Sequence, residues 1–501
     1  MLRKIKIILY ILSGVLLTLS FPRSNMFIFA WIALVPMLIA LWNESDIKHA
    51  VSGALITGIT AYLGIMYWIV PMCLVAGIHI IPGVLFLFAL SLYMALYVII
   101  WGSIAFLLRN KAKNIFIGLL LAGSWAGLEV IRNYMITGFP WALLGYSQWN
   151  NLYMIQIAEY GGVYGISFML VLFNYLLAGF INRENGRVRK YAAGMLIIFL
   201  LTVSFGFIAM RREIPKDNKI KFSIIQGNVD QYKKFDNDFK LFIMQRYKDL
   251  VLREESRNSD IILWPETSFP SVYPDSLYMS RWLSGVVIES GTKNIIGTLI
   301  KENNAYYNGA VYFNSDGKEI GKYAKMHLVP FGEVFPFRNI LGKIFPVVYN
   351  LGGVTRGKKT SLFKINNALI GIGVCFEILF PDEVRNQVKN GANILCNISN
   401  DAWYLDTSAP WQHLSYSVFR AIENRRMVVR SANTGVSAVI DEKGRIIKSL
   451  GLFKTGVLTA DVYAMSGLTF YTQYGYIFIV IFLLTLIITL IKIKYDCYPR
   501  V

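Results

Sequence analysis

The sequence predicts a layered α/β domain placed before the last span of an eight-helix transmembrane bundle. Three observations carry this. The 501-residue chain is 55% hydrophobic and only 16% charged, too apolar for an ordinary soluble protein. Its apolar residues gather into runs long enough to cross a bilayer, most of them before residue 210 and a last one after residue 470. Between them the texture changes to short strand-like segments alternating with amphipathic stretches, the pattern of sheets packed against helices.

The apolar runs lie at about 5–21, 26–43, 51–70, 82–108, 114–131, 156–181, 191–210 and 474–491. The first resembles a signal peptide, but no small-residue cleavage site follows and a second run begins almost at once, so it reads as a retained anchor. Basic clusters flank the runs: Arg3, Lys4 and Lys6; Arg109, Lys111 and Lys113; Arg183, Arg187, Arg189 and Lys190; Lys492 and Lys494. An even number of spans puts both termini on one side, and all four clusters then fall in the cytoplasm, as the positive-inside rule requires. The expected division is therefore 1–210 for seven helices, 211–470 for an extracytoplasmic catalytic domain, and 471–501 for a last helix and a short cytoplasmic tail. In a two-membrane cell the domain is periplasmic and the chain an inner-membrane protein.

The same distribution explains the net charge of +19 without nucleic acid, because the basic residues sit at span ends. Cys73, Cys375, Cys396 and Cys497 form no CxxC and keep no regular spacing, so neither a disulfide framework nor a zinc site is expected. No metal or other cofactor is called for, and a monomer is expected.

In the 211–470 region the candidate strands are "KFSIIQGNV", "DIILWPE", "NIIGTLI", "NGAVYFN", "ALIGIGVCFE", "ANILCNISN", "GVSAVID" and "GVLTADV". Amphipathic stretches at about 236–257, 276–291, 381–390 and 410–429 separate some of them. The familiar hydrolase signals GxSxG, HExxH, GxxxxGK[ST] and a helix-opening GxGxxG are all missing from the sequence. Three polar residues stand out instead at or near strand ends: Glu266 in "IILWPE", Lys325 in "GKYAKMHLVPFGE" and Cys375 in "GIGVCFEILFPDE". Period two along a strand would put Cys375 and Glu377 on one face. A carboxylate, an ammonium and a thiol at one sheet edge would make a nucleophilic site, with positive charge favouring thiolate. Each also has an ordinary explanation: a small buried hydrophobe, a turn cap and a solvated loop charge. Local spacing leaves the choice open.

The surrounding motifs point one way. "WPET", "KMHLVPFGE" and "GVCFE" resemble the nitrilase superfamily, and set among membrane spans they resemble the apolipoprotein N-acyltransferase family over nearly the whole chain. "FPW" with "GYSQ", "QGN", "SNDAW", "PWQH", "AIENRR" and "SANTG" add to the likeness. The resemblance implies an αββα sandwich and a triad of Glu266 as base, Lys325 as oxyanion and orientation partner, and Cys375 as nucleophile. Glu333 and Glu377 are implied as supporting carboxylates. Trp141, Phe235, Trp403, Trp411 and His413 are implied substrate contacts, with Phe235 standing where the family often carries tryptophan. The implied partners are a phospholipid acyl donor and a diacylated apolipoprotein acceptor. The implied reaction is ping-pong transfer through a thioester.

The aromatic and proline-rich stretches 330–337, 344–353 and 402–411 are expected as interfacial lids, the alternative being core under long loops. Glu129 and Arg132, one turn apart near a span end, are either a functional pair or an i,i+3 pair closing a helix. A membrane-tethered amidase on a small nitrogen compound would use the same triad but leaves the spans unexplained. A transporter with a regulatory outer domain predicts broken spans in matching halves and several midplane charges, and these are not evident.

Overall fold

A computed structural model describes residues 2–111, 115–182, 188–213, 217–234, 237–274, 276–334 and 353–496. The chain divides into two compact units: Met1–Arg212 with Thr407–Gln412 and Tyr474–Val501, and Glu213–Asp406 with His413–Gln473.

The first unit is helical. Four of its described helices are long and apolar enough to cross a membrane: Ile80–Leu107, Ile115–Arg132, Ala158–Ile181 and Arg189–Arg211. The pair Ile47–Ile65 and Ile69–Val75, bent by 46°, makes a fifth if it counts as one span. The run expected as one helix at 26–43 is broken instead into a 3-10 turn, Phe27–Trp31, and a short helix, Val35–Trp42. Pro36 lies in the first turn of that helix, where its missing N–H does least harm but prevents a helix from running through. Small residues allow close helix approach: a Cβ at Gly58 would meet Ala95, and one at Gly123 or Gly127 would meet Phe482 or Leu483. The short segment Thr407–Gln412, expected in the α/β region, belongs to this unit. The Gln412 side chain accepts from Trp68 Nε1 (3.1 Å) and Trp141 Nε1 (2.6 Å) and donates to the carbonyls of Pro22 (3.2 Å) and Ile65 (3.1 Å).

The second unit carries, in chain order, strands Lys219–Gln226 (β1), Ile261–Leu263 (β2), Val272–Tyr273 (β3), Lys293–Glu302 (β4), Ala305–Phe313 (β5), Glu319–Ala324 (β6), Leu362–Ile365 (β7), Ala368–Val374 (β8), Ile394–Ser399 (β9), Met427–Ala432 (β10), Ser437–Ile440 (β11), Ile446–Leu450 (β12) and Gly456–Tyr463 (β13). They form two sheets, β13-β1-β2-β4-β5-β6 with β3 against β4, and β12-β11-β10-β9-β8-β7. Alternation along each strand makes the layers. Ile261 and Leu263 of β2 face the core between the sheets with Ile372 and Ile398. Ile262 and the following Trp264 face the outer core, against Ile243, Tyr247 and Leu283. The last three belong to helices Lys240–Val251 and Leu277–Ser290, and helices Pro381–Lys389 and Ala409–Asn424 accompany the second sheet. The layering is αββα, held chiefly by burial of aliphatic side chains on both faces of each sheet.

Candidate active site

Glu266 is carried two residues beyond Trp264, whose indole donates to Asn294 at 2.8 Å and anchors the end of β2. The chain then leaves through Thr267 at φ 44°, a left-handed conformation that a β-branched residue adopts only under tertiary constraint. Ser268 and Phe269 donate their backbone N–H to Gly297 O at 2.8 and 3.3 Å. This close approach requires glycine, because a Cβ at 297 would clash with the Pro265 carbonyl and the Glu266 Cα.

Lys325 follows β6 and is clamped by its backbone: its N–H donates to Asn308 O, and Gly357 N–H donates to its carbonyl, both at 2.8 Å. Its Nζ lies 2.9 Å from Glu333 Oε2 and 3.6 Å from Glu266 Oε1, and the lysine is 1% exposed. Asn308 Nδ2 donates to Glu266 at 2.7 Å and to Glu333 at 2.8 Å. Burial alone would lower the Lys325 ammonium, but Glu333 and then Glu266 outweigh it and hold it charged, above the usual lysine range. Burial opposes the Glu333 carboxylate likewise, and Lys325 overcomes this and draws it below its usual range. A second lysine, Lys234, is also buried here and donates to Glu266 O at 2.9 Å.

Cys375 is the first residue after β8, at φ 51°. The strand does not continue, so the same-face relation expected for Cys375 and Glu377 does not exist. Residues Cys375–Leu379 form a 3-10 turn instead. Glu377 folds back to accept from Val374 N (2.7 Å), Met326 N (2.6 Å), His327 N (3.1 Å) and Tyr323 Oη (2.8 Å). It thereby ties the cysteine turn to the lysine strand. The positive charge expected to favour thiolate is outweighed here. Burial, then Glu266, pushes the Cys375 thiol well up, against the weaker pull of Lys325 and a hydrogen bond from Ser399. Burial and the charge of Glu266 thus disfavour the thiolate of Cys375.

Beneath the cysteine lies a buried polar group that the sequence reading did not assemble. His413 Nε2 donates to the Cys375 carbonyl at 3.1 Å, while Nδ1 lies 2.8 Å from Asp401 Oδ1. Arg430 Nη2 donates to Asp401 Oδ2 at 2.7 Å, and Nη1 bonds Asn397. Burial would raise the Asp401 carboxyl, but Arg430 and His413 hold it well below the carboxylate range. Burial, then Arg430, lowers the His413 imidazole.

The expected substrate contacts scatter. His413 is fully buried, and Trp141 is buried at 1% exposure with its indole on Gln412. Trp403 is 36% exposed, and Trp411 is half-buried in the first turn of its helix. Phe235 lies outside the described residues, as do the expected lid stretches at 335–352. Exposed apolar side chains do occur at Phe331, Trp403 and Leu405. Glu129 and Arg132 feel each other's charge but make their hydrogen bonds to other groups. Glu129 accepts from Trp125 Nε1 and Leu144 N, and Arg132 donates to Tyr62 Oη and Trp141 O. Sequence reasoning missed Asn308, Lys234 and Asp401. The available signals were an asparagine opening an apolar strand, paired lysines after "QGN", and the aspartate of "SNDAW".

Comparison with known proteins fits both halves of this description. Residues 13–176 match the apolipoprotein N-acyltransferase N-terminal domain, and residues 226–467 match the carbon-nitrogen hydrolase family. The second match covers the αββα unit, which therefore has the nitrilase-type fold. An apolipoprotein N-acyltransferase from Geobacter metallireducens is 37% identical over 483 residues, 93% of this chain and 91% of that one. Those from Wigglesworthia glossinidia brevipalpis (28% identical; 94% of each chain) and Nitrosomonas europaea (31%; 88% of each) are similar at nearly full length. Sharing more than a third of its residues with such a relative along nearly all of its length, this chain belongs to the apolipoprotein N-acyltransferase family.

Proposed function

We propose that this protein transfers an acyl chain from a membrane phospholipid to the N-terminal α-amine of diacylglyceryl-cysteine in apolipoproteins, through a thioester on Cys375. The observation that carries the reading is the thiol of Cys375 at a left-handed strand end, under the field of both Glu266 and Lys325, in a chain that also carries helices apolar enough for a membrane.

In the first half-reaction Glu266 takes the thiol proton as sulfur attacks the ester carbonyl. Lys325, held charged by two carboxylates, stabilises the oxyanion. The intermediate collapses with loss of the lysophospholipid oxygen, which receives the proton from Glu266. In the second, the acceptor amine attacks the thioester, an amide forms and the thiol is restored. Glu333 and Asn308 keep Lys325 and Glu266 in place, and Glu377 fixes the cysteine turn. Trp403, on the α/β unit, is a candidate wall for lipid.

We further infer eight spans, with the broken Phe27–Trp42 segment, Arg3–Ser20 and Ile477–Asp496 completing the set. Both termini are cytoplasmic, residues 211–470 lie on the outer side of the bacterial inner membrane, and the enzyme works as a monomer. The distribution of basic residues supports this orientation.

The test is incubation of the purified full-length protein with phospholipid labelled in its acyl chain and a diacylated lipopeptide. Label is expected first on the protein, released by neutral hydroxylamine, and then as an amide on the peptide. A stable acyl-enzyme on Cys375→Ala would sink the assignment, and ammonia release from small amides without lipid transfer would favour an amidase.

A further inference from the structure

Lys325 is not the only ammonium at the base. Lys234 ends the short helix Gln231–Lys234, is 4% exposed, and donates from Nζ to the Glu266 carbonyl at 2.9 Å. Lys325 therefore meets the side chain of Glu266 and Lys234 its backbone. The two lysines differ in one respect. Lys325 has carboxylate oxygens at 2.9 and 3.6 Å, whereas no carboxylate among the described residues forms an ion pair with Lys234. Glu266 and Cys375 are the groups whose charge acts on it.

On the reading that the enzyme forms an amide from a lipid thioester, the second half-reaction has a proton to place. The acceptor arrives as R–NH3+ and leaves as R–NH–C(O)R′, so its nitrogen loses two protons. One leaves the tetrahedral intermediate and reaches sulfur through Glu266 as the C–S bond breaks. The other must leave earlier, to expose the lone pair. Lys325 is already protonated and held so, and cannot take it.

We propose that Lys234, in its neutral form, takes that first proton from the acceptor ammonium, directly or through one water, and returns it to solvent before the next turnover. Burial brings the Lys234 ammonium down to about 8, against the opposing pull of Glu266 and Cys375. The assignment makes Lys234 a determinant of the acceptor: it selects for a primary ammonium over a neutral nucleophile.

The experiment follows the two halves separately in Lys234→Gln and Lys234→Arg, with labelled phospholipid for acyl-enzyme formation and a diacylated lipopeptide for transfer. Transfer at pH 7 is expected to fall about tenfold, because only about a tenth of an α-amine with pKa near 8 is neutral there, with acylation unchanged, and to recover as pH rises past the acceptor's own pKa. Lys234→Arg, permanently charged, should be as slow as Lys234→Gln. Hydroxylamine, already neutral, should discharge both variant acyl-enzymes at the wild-type rate. Full rescue by arginine would show a fixed charge and overturn the proposal. An unchanged pH profile, or equal loss of both halves in variants that melt normally, would also overturn it. A wild-type enzyme that never acylates would instead remove the acyl-transfer reading itself.

Discussion

Asn308 donates its side-chain amide to Glu266 at 2.7 Å. The same nitrogen reaches Glu333 at 2.8 Å, so a single amide spaces two carboxylates around one lysine. Asn308→Ala should release Glu266 from its aligned position and slow acyl-enzyme formation by about 100-fold. Asn308→Asp, adding a third carboxylate, should be slower still. Rapid-quench measurement of label on the protein checks both.

Lys325→Met leaves Glu266 and Glu333 buried without their cation. Stability should fall by about 3–5 kcal/mol, read as a lower Tm in detergent, and acylation should cease. Adding Glu333→Gln to this variant should recover part of the Tm and none of the activity.

Glu377 gives a pH signature. Burial, then Glu383, raises its carboxyl from 4.5 to about 7. A carboxyl with a raised folded pKa takes up a proton on folding, so its contribution is fully present below about 4.5 and is lost as pH rises to about 7. The size is on the order of 3 kcal/mol at 1.36 kcal/mol per unit. Glu377→Gln should flatten the fall of Tm over this window. An unaltered slope would show that Glu377 is charged throughout.

Gly297→Ala should be disproportionately harmful for one methyl group. The added Cβ would stand 2.8 Å from Glu266 Cα and displace the catalytic loop rather than a flexible side chain. Acylation is expected to drop by about 100-fold with circular dichroism unchanged.

Gln412→Leu strips the acceptor from two buried indoles and the donor from two backbone carbonyls. Each orphaned group costs about 1–3 kcal/mol, so this single change should lower Tm as much as a core cavity does. Gln412→Glu, which keeps the acceptor but loses the donor, should fall between.

The site was legible where chemistry stands at the end of an apolar run. Glu266 after "IILWP" and Cys375 after "GIGV" are visible because a polar residue in that place needs a reason. The turn at Cys375 was not legible: the cysteine at positive φ sits in a turn held by Glu377, three of whose four donors, Tyr323, Met326 and His327, come from a distant segment. The helix expected at 410–429 stops at Asn424, Arg425 turns at φ 48°, and β10 begins at Met427. Helical periodicity simply ran past that reversal. Strands β6 and β12 carry exposed polar positions at sheet margins, so alternation was weak there. The polar cluster of Asp401, His413 and Arg430 is scattered over about thirty residues and becomes one group only through β9 and β10 pairing in parallel.

Because burial and Glu266 disfavour the Cys375 thiolate, the free enzyme is expected to be chemically latent. Peroxides and disulfides react with thiolates, and a sulfur whose thiolate is disfavoured offers them little. Alkylating reagents should therefore label Cys375 slowly in the free enzyme, so that selective inhibitors will need to bring an electrophile on a lipid-like scaffold that first occupies the acyl site.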